Sequence, residues 1–272
     1  MYEYKYDTSS GGLVLVNKEC GFSREPRPVY AHEMSVLGFE QFCLYEKQNQ
    51  IPYMWAEANC YYYYGRLVAK VKGGSLYEKP ELQIIEPPEP EGTELKPIDL
   101  DAMIEQNQEL METLSMDSVK IIANTYEKYR SVVDIFHVSY SGGKDSEVTL
   151  DLVKRALPHD GFVVIFGDTG MEFPDTYCSV KNAQLKCEEE DVRFYIARSK
   201  FTPDESWRIF GPPATTLRWC CSVHKTAPQL LKLREILGYS DFKEMAFVGV
   251  RGDESATRSE YDVISLGTKH RG

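Results

Sequence analysis

The residues best arranged for chemistry are Ser141-Gly142-Gly143-Lys144-Asp145-Ser146, which follow the apolar run Ile135-Phe136-His137-Val138 and lead straight into a helix-like stretch. A loop that leaves a buried strand and enters a helix at once turns its amides, and the positive end of the helix dipole, toward one point. Such a point is an anion site. Gly142 and Gly143 let the backbone approach a phosphate with no Cβ in the way, Lys144 adds a mobile cation, and the hydroxyls of Ser141 and Ser146 can donate to phosphate oxygens. This is not a Walker loop, because Val138 stands where that pattern needs its first glycine and Asp145 follows the lysine. A plain glycine-rich turn between strand and helix is the competing reading.

The surrounding pattern supplies the strand and the helix. Residues 135–138 read as a strand, 148–157 as a helix, 162–166 as a strand, 174–189 as a helix, 192–196 as a strand, 227–237 as a helix stopped by Gly238, and 245–250 as a strand. Strands alternating with helices imply right-handed crossovers, so the expected fold class is α/β, a doubly wound, Rossmann-like parallel sheet. Ligands of such sheets sit beyond the carboxyl ends of the strands, where the loop falls.

Ahead of this region, residues 13–16 and 60–71 are rich in β-branched and aromatic side chains and end at Gly73-Gly74, which indicates a small β-rich domain over 1–85. The Pro- and acid-rich stretch 86–98 reads as a linker to an α/β domain over 99–272, entered by a long helix that Asp99 can cap. The apolar positions Met103, Leu110, Leu114, Val119, Ile122 and Tyr126 carry that helix toward Arg130. No run of 18 apolar residues occurs and Met1-Tyr2-Glu3-Tyr4 does not resemble a signal peptide, so a cytoplasmic protein with no membrane partner is expected. The net charge of −11 argues against a surface that grips nucleic acid as a whole, while a local basic site stays open. The seven cysteines show no CxxC spacing, so reduced thiols are the default and Cys220-Cys221 is the pair that needs its own account.

Four segments together carry a family resemblance. Residues 141–146 resemble the SGGKDS pyrophosphate loop of the adenine-nucleotide α-hydrolase-like (PP-loop) superfamily, which includes ATP pyrophosphatases and phosphoadenosine phosphosulfate (PAPS) reductases. Asp168-Thr169-Gly170-Met171-Glu172-Phe173-Pro174-Asp175-Thr176-Tyr177 resembles the D-T-G-x-x-F-P-E-T-Y segment of PAPS reductase-like proteins. Arg218-Trp219-Cys220-Cys221 followed by Lys225 resembles the region where iron–sulfur reductases carry a double cysteine, and Gly249-Val250-Arg251-Gly252-Asp253-Glu254-Ser255 with Arg258 is the fourth segment. The resemblance runs over roughly residues 130–260, and the first 90 residues carry no motif of a family we can name.

The resemblance implies an adenine nucleotide as ligand: PAPS, adenylyl sulfate or ATP. Its phosphates would meet Ser141, Gly142, Gly143, Lys144, Asp145 and Ser146, backbone groups near Phe166 would pair with the adenine edge, and Asp168 would hold Mg²⁺ brought with ATP or accept from the ligand. The guanidinium forks of Arg251 and Arg258 suit phosphate or sulfate oxygens, with surface ion pairs as the alternative. Asp168 as a capping or turn residue also stays open, and so does a solvated face for His224, which with Lys225 otherwise approaches the anion. Glu172 and Asp175 read as first-turn helix acids.

Adjacent Cys220 and Cys221 cannot readily close a disulfide with each other. In relatives with a 4Fe–4S cluster the double cysteine shares it with a later Cys-x-x-Cys, and no cysteine follows Cys221 here, so a cluster would need cysteines from outside this chain. The alternatives are nucleophilic thiols, or one packed and one idle thiol. The sequence ends at Gly272, where such relatives continue, and is expected to be a shortened form. With Lys144, Cys220 and Cys221 as catalytic candidates, two chemistries remain. One is thiol-dependent release of sulfite, with a thiol reductant or sulfur-transfer protein as partner. The other is attack at the α-phosphorus of ATP with loss of pyrophosphate, which the complete loop favours. A nucleotide-binding module of a larger sulfur-transfer or nucleic-acid-modifying assembly is the third reading.

Overall fold

The computed structural model describes residues 2–17, 26–74, 78–214, 218–250 and 262–265. It forms two compact units, Met1–Thr113 and Leu114–Gly272. In the first, β1 (Tyr2–Tyr6) and β2 (Leu13–Asn17) make an antiparallel pair. A five-stranded antiparallel sheet follows in the order β3-β4-β5-β6-β7, from β3 (Arg27–Val29), β4 (Met54–Glu57), β5 (Cys60–Tyr63), β6 (Arg66–Lys72) and β7 (Glu81–Ile84), with α1 (Ala31–Leu37) after β3. The tyrosine-rich run folds back at Tyr64-Gly65, where φ values of 48° and 80° give the turn hand that matches strand twist. Met34, Phe39, Tyr61, Tyr63 and Val68 lie in its core.

The stretch 86–98, expected as a linker, packs on this first unit. Leu95 and Ile98 are buried. The Tyr63 hydroxyl donates to Glu89 Oε1 at 2.9 Å and accepts from the Lys96 amide at 3.0 Å. Prolines keep the stretch out of helix and ladder, but its few apolar side chains still find a surface to cover. The division between units falls between Thr113 and Leu114, inside α2 (Leu100–Tyr129), whose first turn is capped by Asp99 Oδ1 accepting from Ala102 N at 3.0 Å.

The second unit contains β8 (Ile135–Tyr140), α3 (Lys144–Ala156), β9 (Val163–Asp168), α4 (Pro174–Glu189), β10 (Phe194–Arg198) and α5 (Pro203–Phe210). They are followed by α6 (Trp219–Cys221), a π-helical turn (Ser222–Thr226), α7 (Ala227–Leu237) and β11 (Glu244–Phe247). The four strands are parallel in the order β10-β9-β8-β11. Their side chains alternate. Phe136, Val138, Tyr140, Val164 and Phe166 pack with Leu150 and Val153 of α3 and Val180 and Ala183 of α4, whereas Ile135, Val163, Ile165 and Ala197 pack with Leu233 of α7. Helices thus cover both faces of a doubly wound sheet, and the order reverses between β8 and β11.

Pattern and structure differ at some ends. The third strand of the pattern starts two residues late, at Phe194, and β11 stops at Phe247. Helix α5 was outside the expectation although its start is written in the sequence: Thr202 and Glu205 form a capping box around Pro203. Among the described residues no helix is long and apolar enough to cross a membrane.

Candidate functional site

The loop 141–143 joins β8 to α3 at the strand-order reversal. Gly142 has φ of 78°, and a Cβ there would lie 2.8 Å from Thr176 Cγ2 of α4, so both its backbone and its surroundings demand glycine. Gly143 differs: it is extended at φ −90°, and the nearest atom to an added Cβ is Ser141 Oγ at 3.6 Å. It forms the N-cap of α3 without a side-chain cap, which leaves the first amides of a 13-residue helix to another partner. Buried Ser146 donates to the Gly143 carbonyl at 2.8 Å and meets Ser141 Oγ at 3.2 Å, holding the loop closed, while Ser141, Gly143 and Lys144 are exposed at its rim. Asp145 is half-buried.

The chain leaving β11 crosses this first turn. A Cβ on Gly249 would stand 2.5 Å from the Asp145 carbonyl oxygen and 2.7 Å from Thr149 Oγ1, so the glycine permits the close approach. Arg251 and Arg258 follow from there and lie outside the described residues.

At the end of β9, Asp168 is 2% exposed. Its Oδ1 accepts from the Gly170 amide at 2.8 Å and the Tyr177 hydroxyl at 2.9 Å, and its Oδ2 accepts from Arg198 Nε at 2.9 Å and from Arg198 Nη2. Burial pushes the carboxyl upward, but the Arg198, Gly170 and Tyr177 donors outweigh it and hold it below the usual carboxylate range. Arg198 keeps 66% of its side chain exposed. It was missed in the sequence because an arginine ending a strand carries no motif. Phe166 is buried, and the β8–β9 ladder ends at its pairing with Tyr140, while the β9–β10 ladder continues to Asp168–Arg198. On the β8 side, the backbone of Gly167 and Asp168 therefore runs on past its partner strand.

Cys220 is half-buried and Cys221 exposed, on α6 just before the π-helical turn. Neither the anion-facing nor the solvated reading of His224 holds: it is 1% exposed, with Nε2 3.0 Å from Ser206 Oγ of α5. Lys225 beside it is exposed. Glu172 precedes α4 and accepts from Thr169 Oγ1 at 2.8 Å, while Asp175 sits in the first turn.

The described residues do not fit a resident metal or cluster. Both Asp168 oxygens already accept from protein donors, and no three His, Cys, Asp or Glu among the described residues come close enough to hold an ion. Cys187 is packed in the core, with its thiol pushed up to about 11 by burial.

The family profile described as Phosphoadenosine phosphosulfate reductase domain matches residues 135–271, from the first strand of the parallel sheet onward. An uncharacterized protein of Methanocaldococcus jannaschii is 35% identical over 163 residues, 58% of this chain and 31% of that protein. A second uncharacterized protein of that organism is 33% identical over 161 residues, 58% of this chain and 36% of that protein. An adenosine 5′-phosphosulfate reductase of Geobacillus kaustophilus is 28% identical over 150 residues, 53% of this chain and 57% of the reductase. The match thus spans about a third of the first two relatives and somewhat over half of the third. The profile covers half of the chain, and the parallel sheet, its helices and the loop after its first strand all lie within the match: the chain belongs to the phosphoadenosine phosphosulfate reductase domain family.

Proposed function

We propose that the second unit is an adenine-nucleotide enzyme domain of sulfur metabolism, with the nucleotide's phosphates or sulfate on residues 141–146. One observation carries this reading: the uncapped N-terminus of α3, entered through a Gly142 that only glycine can occupy, opens at the strand-order reversal. Ser141, Gly143 and Lys144 would meet the anion directly, with Asp145 and Ser146 contributing amides of the first turn. Arg251 and Arg258, which lie outside the described residues, are further anion-binding candidates. The backbone after Phe166, which β8 no longer pairs, is the edge on which the base would pair. Asp168 serves by fixing Arg198, an oriented cation at the rim.

Family membership and the likeness to an adenosine 5′-phosphosulfate reductase favour adenylyl sulfate or PAPS as ligand. In that chemistry a Cys220 or Cys221 thiolate attacks sulfur, the nucleotide departs with the bond electrons, and a thiol reductant protein releases sulfite from the S-sulfonated cysteine. The complete loop favours a second reading, in which ATP, carrying its own Mg²⁺, is attacked at the α-phosphorus by an acceptor and loses pyrophosphate. Calorimetric titration with PAPS, adenylyl sulfate and ATP, with and without Mg²⁺, tests the proposal; heat with none of them disposes of it.

A further inference from the structure

Gly167 determines what stands over the end of β9. A Cβ at this position would lie 2.6 Å from Gln229 Nε2 and 3.4 Å from Gln229 Cδ, so the carboxamide rests directly on the Gly167 backbone. Residues 163, 165 and 167 share the face covered by α7, and β8 no longer pairs with the strand from Gly167 onward, although Gly167 itself is buried. On that same face, among the described residues, Ala246 of β11 is exposed and Ser139 of β8 is only half-buried. The face is therefore least covered beside the strand-order reversal. Gln229 is half-buried there, and its carboxamide makes no hydrogen bond to any described residue. A half-desolvated amide without a partner among the described residues, held against backbone that β8 no longer pairs, has a donor and an acceptor to give to a ligand.

We propose that Gln229 reads the base of the nucleotide. The inference rests on the nucleotide reading above and adds the residue that selects adenine. Adenine presents an amino donor beside a ring-nitrogen acceptor, which a carboxamide matches with its oxygen and its amide hydrogens. The corresponding N7 edge of guanine presents two acceptors and takes only one of those bonds. The loop 141–146 holds the other end of the ligand and contributes nothing to base choice.

The test is calorimetry on the full chain with adenosine 5′-phosphosulfate, ATP, GTP and inorganic pyrophosphate. Gln229→Leu is expected to weaken the adenine nucleotides by about tenfold, with pyrophosphate unaffected. Gln229→Glu, which keeps the acceptor for the adenine amino group but loses the donor, is expected to weaken ATP and GTP alike and to leave the preference for ATP over GTP in place. Lys144→Ala should weaken nucleotides and pyrophosphate together. Unchanged adenine-nucleotide affinity in Gln229→Leu, beside an impaired Lys144→Ala, overturns the base-reading role and leaves the loop assignment standing. Equal losses of nucleotide and pyrophosphate in Gln229→Leu also overturn it, as a structural effect. A parent chain that binds none of these compounds removes the nucleotide reading and this inference with it.

Discussion

Asp168 and Arg198 stand opposite each other as partners at the ends of β9 and β10, joined by a 2.9 Å hydrogen bond from Arg198 Nε to Asp168 Oδ2. One member of the pair is buried and the other is wet. The carboxylate, fixed also by Tyr177 and the Gly170 amide, holds the guanidinium in one orientation on a rigid strand end.

Asp168→Asn is expected to lower unfolding stability by about 1–2 kcal/mol, less than a fully buried pair would cost because Arg198 regains water. The pH dependence has a definite sign. The folded carboxyl titrates below its unfolded value of about 3.9, so its contribution is complete above that pH and is lost as pH falls through the lower folded value. Urea unfolding of parent and variant should therefore differ at pH 7 and converge under strong acid.

The two loop glycines should separate. Gly142→Ala forces a Cβ into positive φ and against Thr176, costing about 1–2 kcal/mol of stability. Gly143→Ala, extended and open around its Cβ, should leave stability within about 0.5 kcal/mol of the parent. Thermal unfolding of both variants checks this contrast.

Exposed Lys144 should matter for ligand and not for fold. Lys144→Ala is expected to cost about 1.5–3 kcal/mol of nucleotide affinity through a lost charge-assisted contact. Gly143→Val should also weaken binding by entering the phosphate's space. Parent-like calorimetry for both would dispose of the loop assignment.

Cys220 and Cys221 are adjacent on one turn, with no third ligating side chain near enough for a metal among the described residues. The chain by itself is expected to bind adenine nucleotide and to release little sulfite from PAPS with thioredoxin. Robust thiol-dependent sulfite release, lost in Cys220→Ser or Cys221→Ser, would establish the reductase chemistry instead.

Local chemistry makes much of the fold legible in the sequence. The run from Ile135, the glycine loop and the helix behind it declare themselves through apolar clustering and the absence of a Cβ, both of which act over a few residues. The same holds for α4 behind Pro174 and for α7 ending at Gly238 in the left-handed region. The stretch 86–98 misled because proline and acid content reports only that a segment forms no helix or ladder, whereas the burial of Leu95 and Ile98 depends on surfaces distant in sequence.

Sequence alone determined the family resemblance, the parallel α/β class and the loop, because each rests on residues that are neighbours along the chain. Tertiary structure decided that Gly142 meets Thr176, that Gly249 crosses Asp145, that Arg198 is held by Asp168, that His224 is buried on Ser206, and that Gln229 lies on Gly167. Those pairs come together only when the parallel strands register and the helices pack on the sheet, and no spacing along a single element encodes that long-range closure.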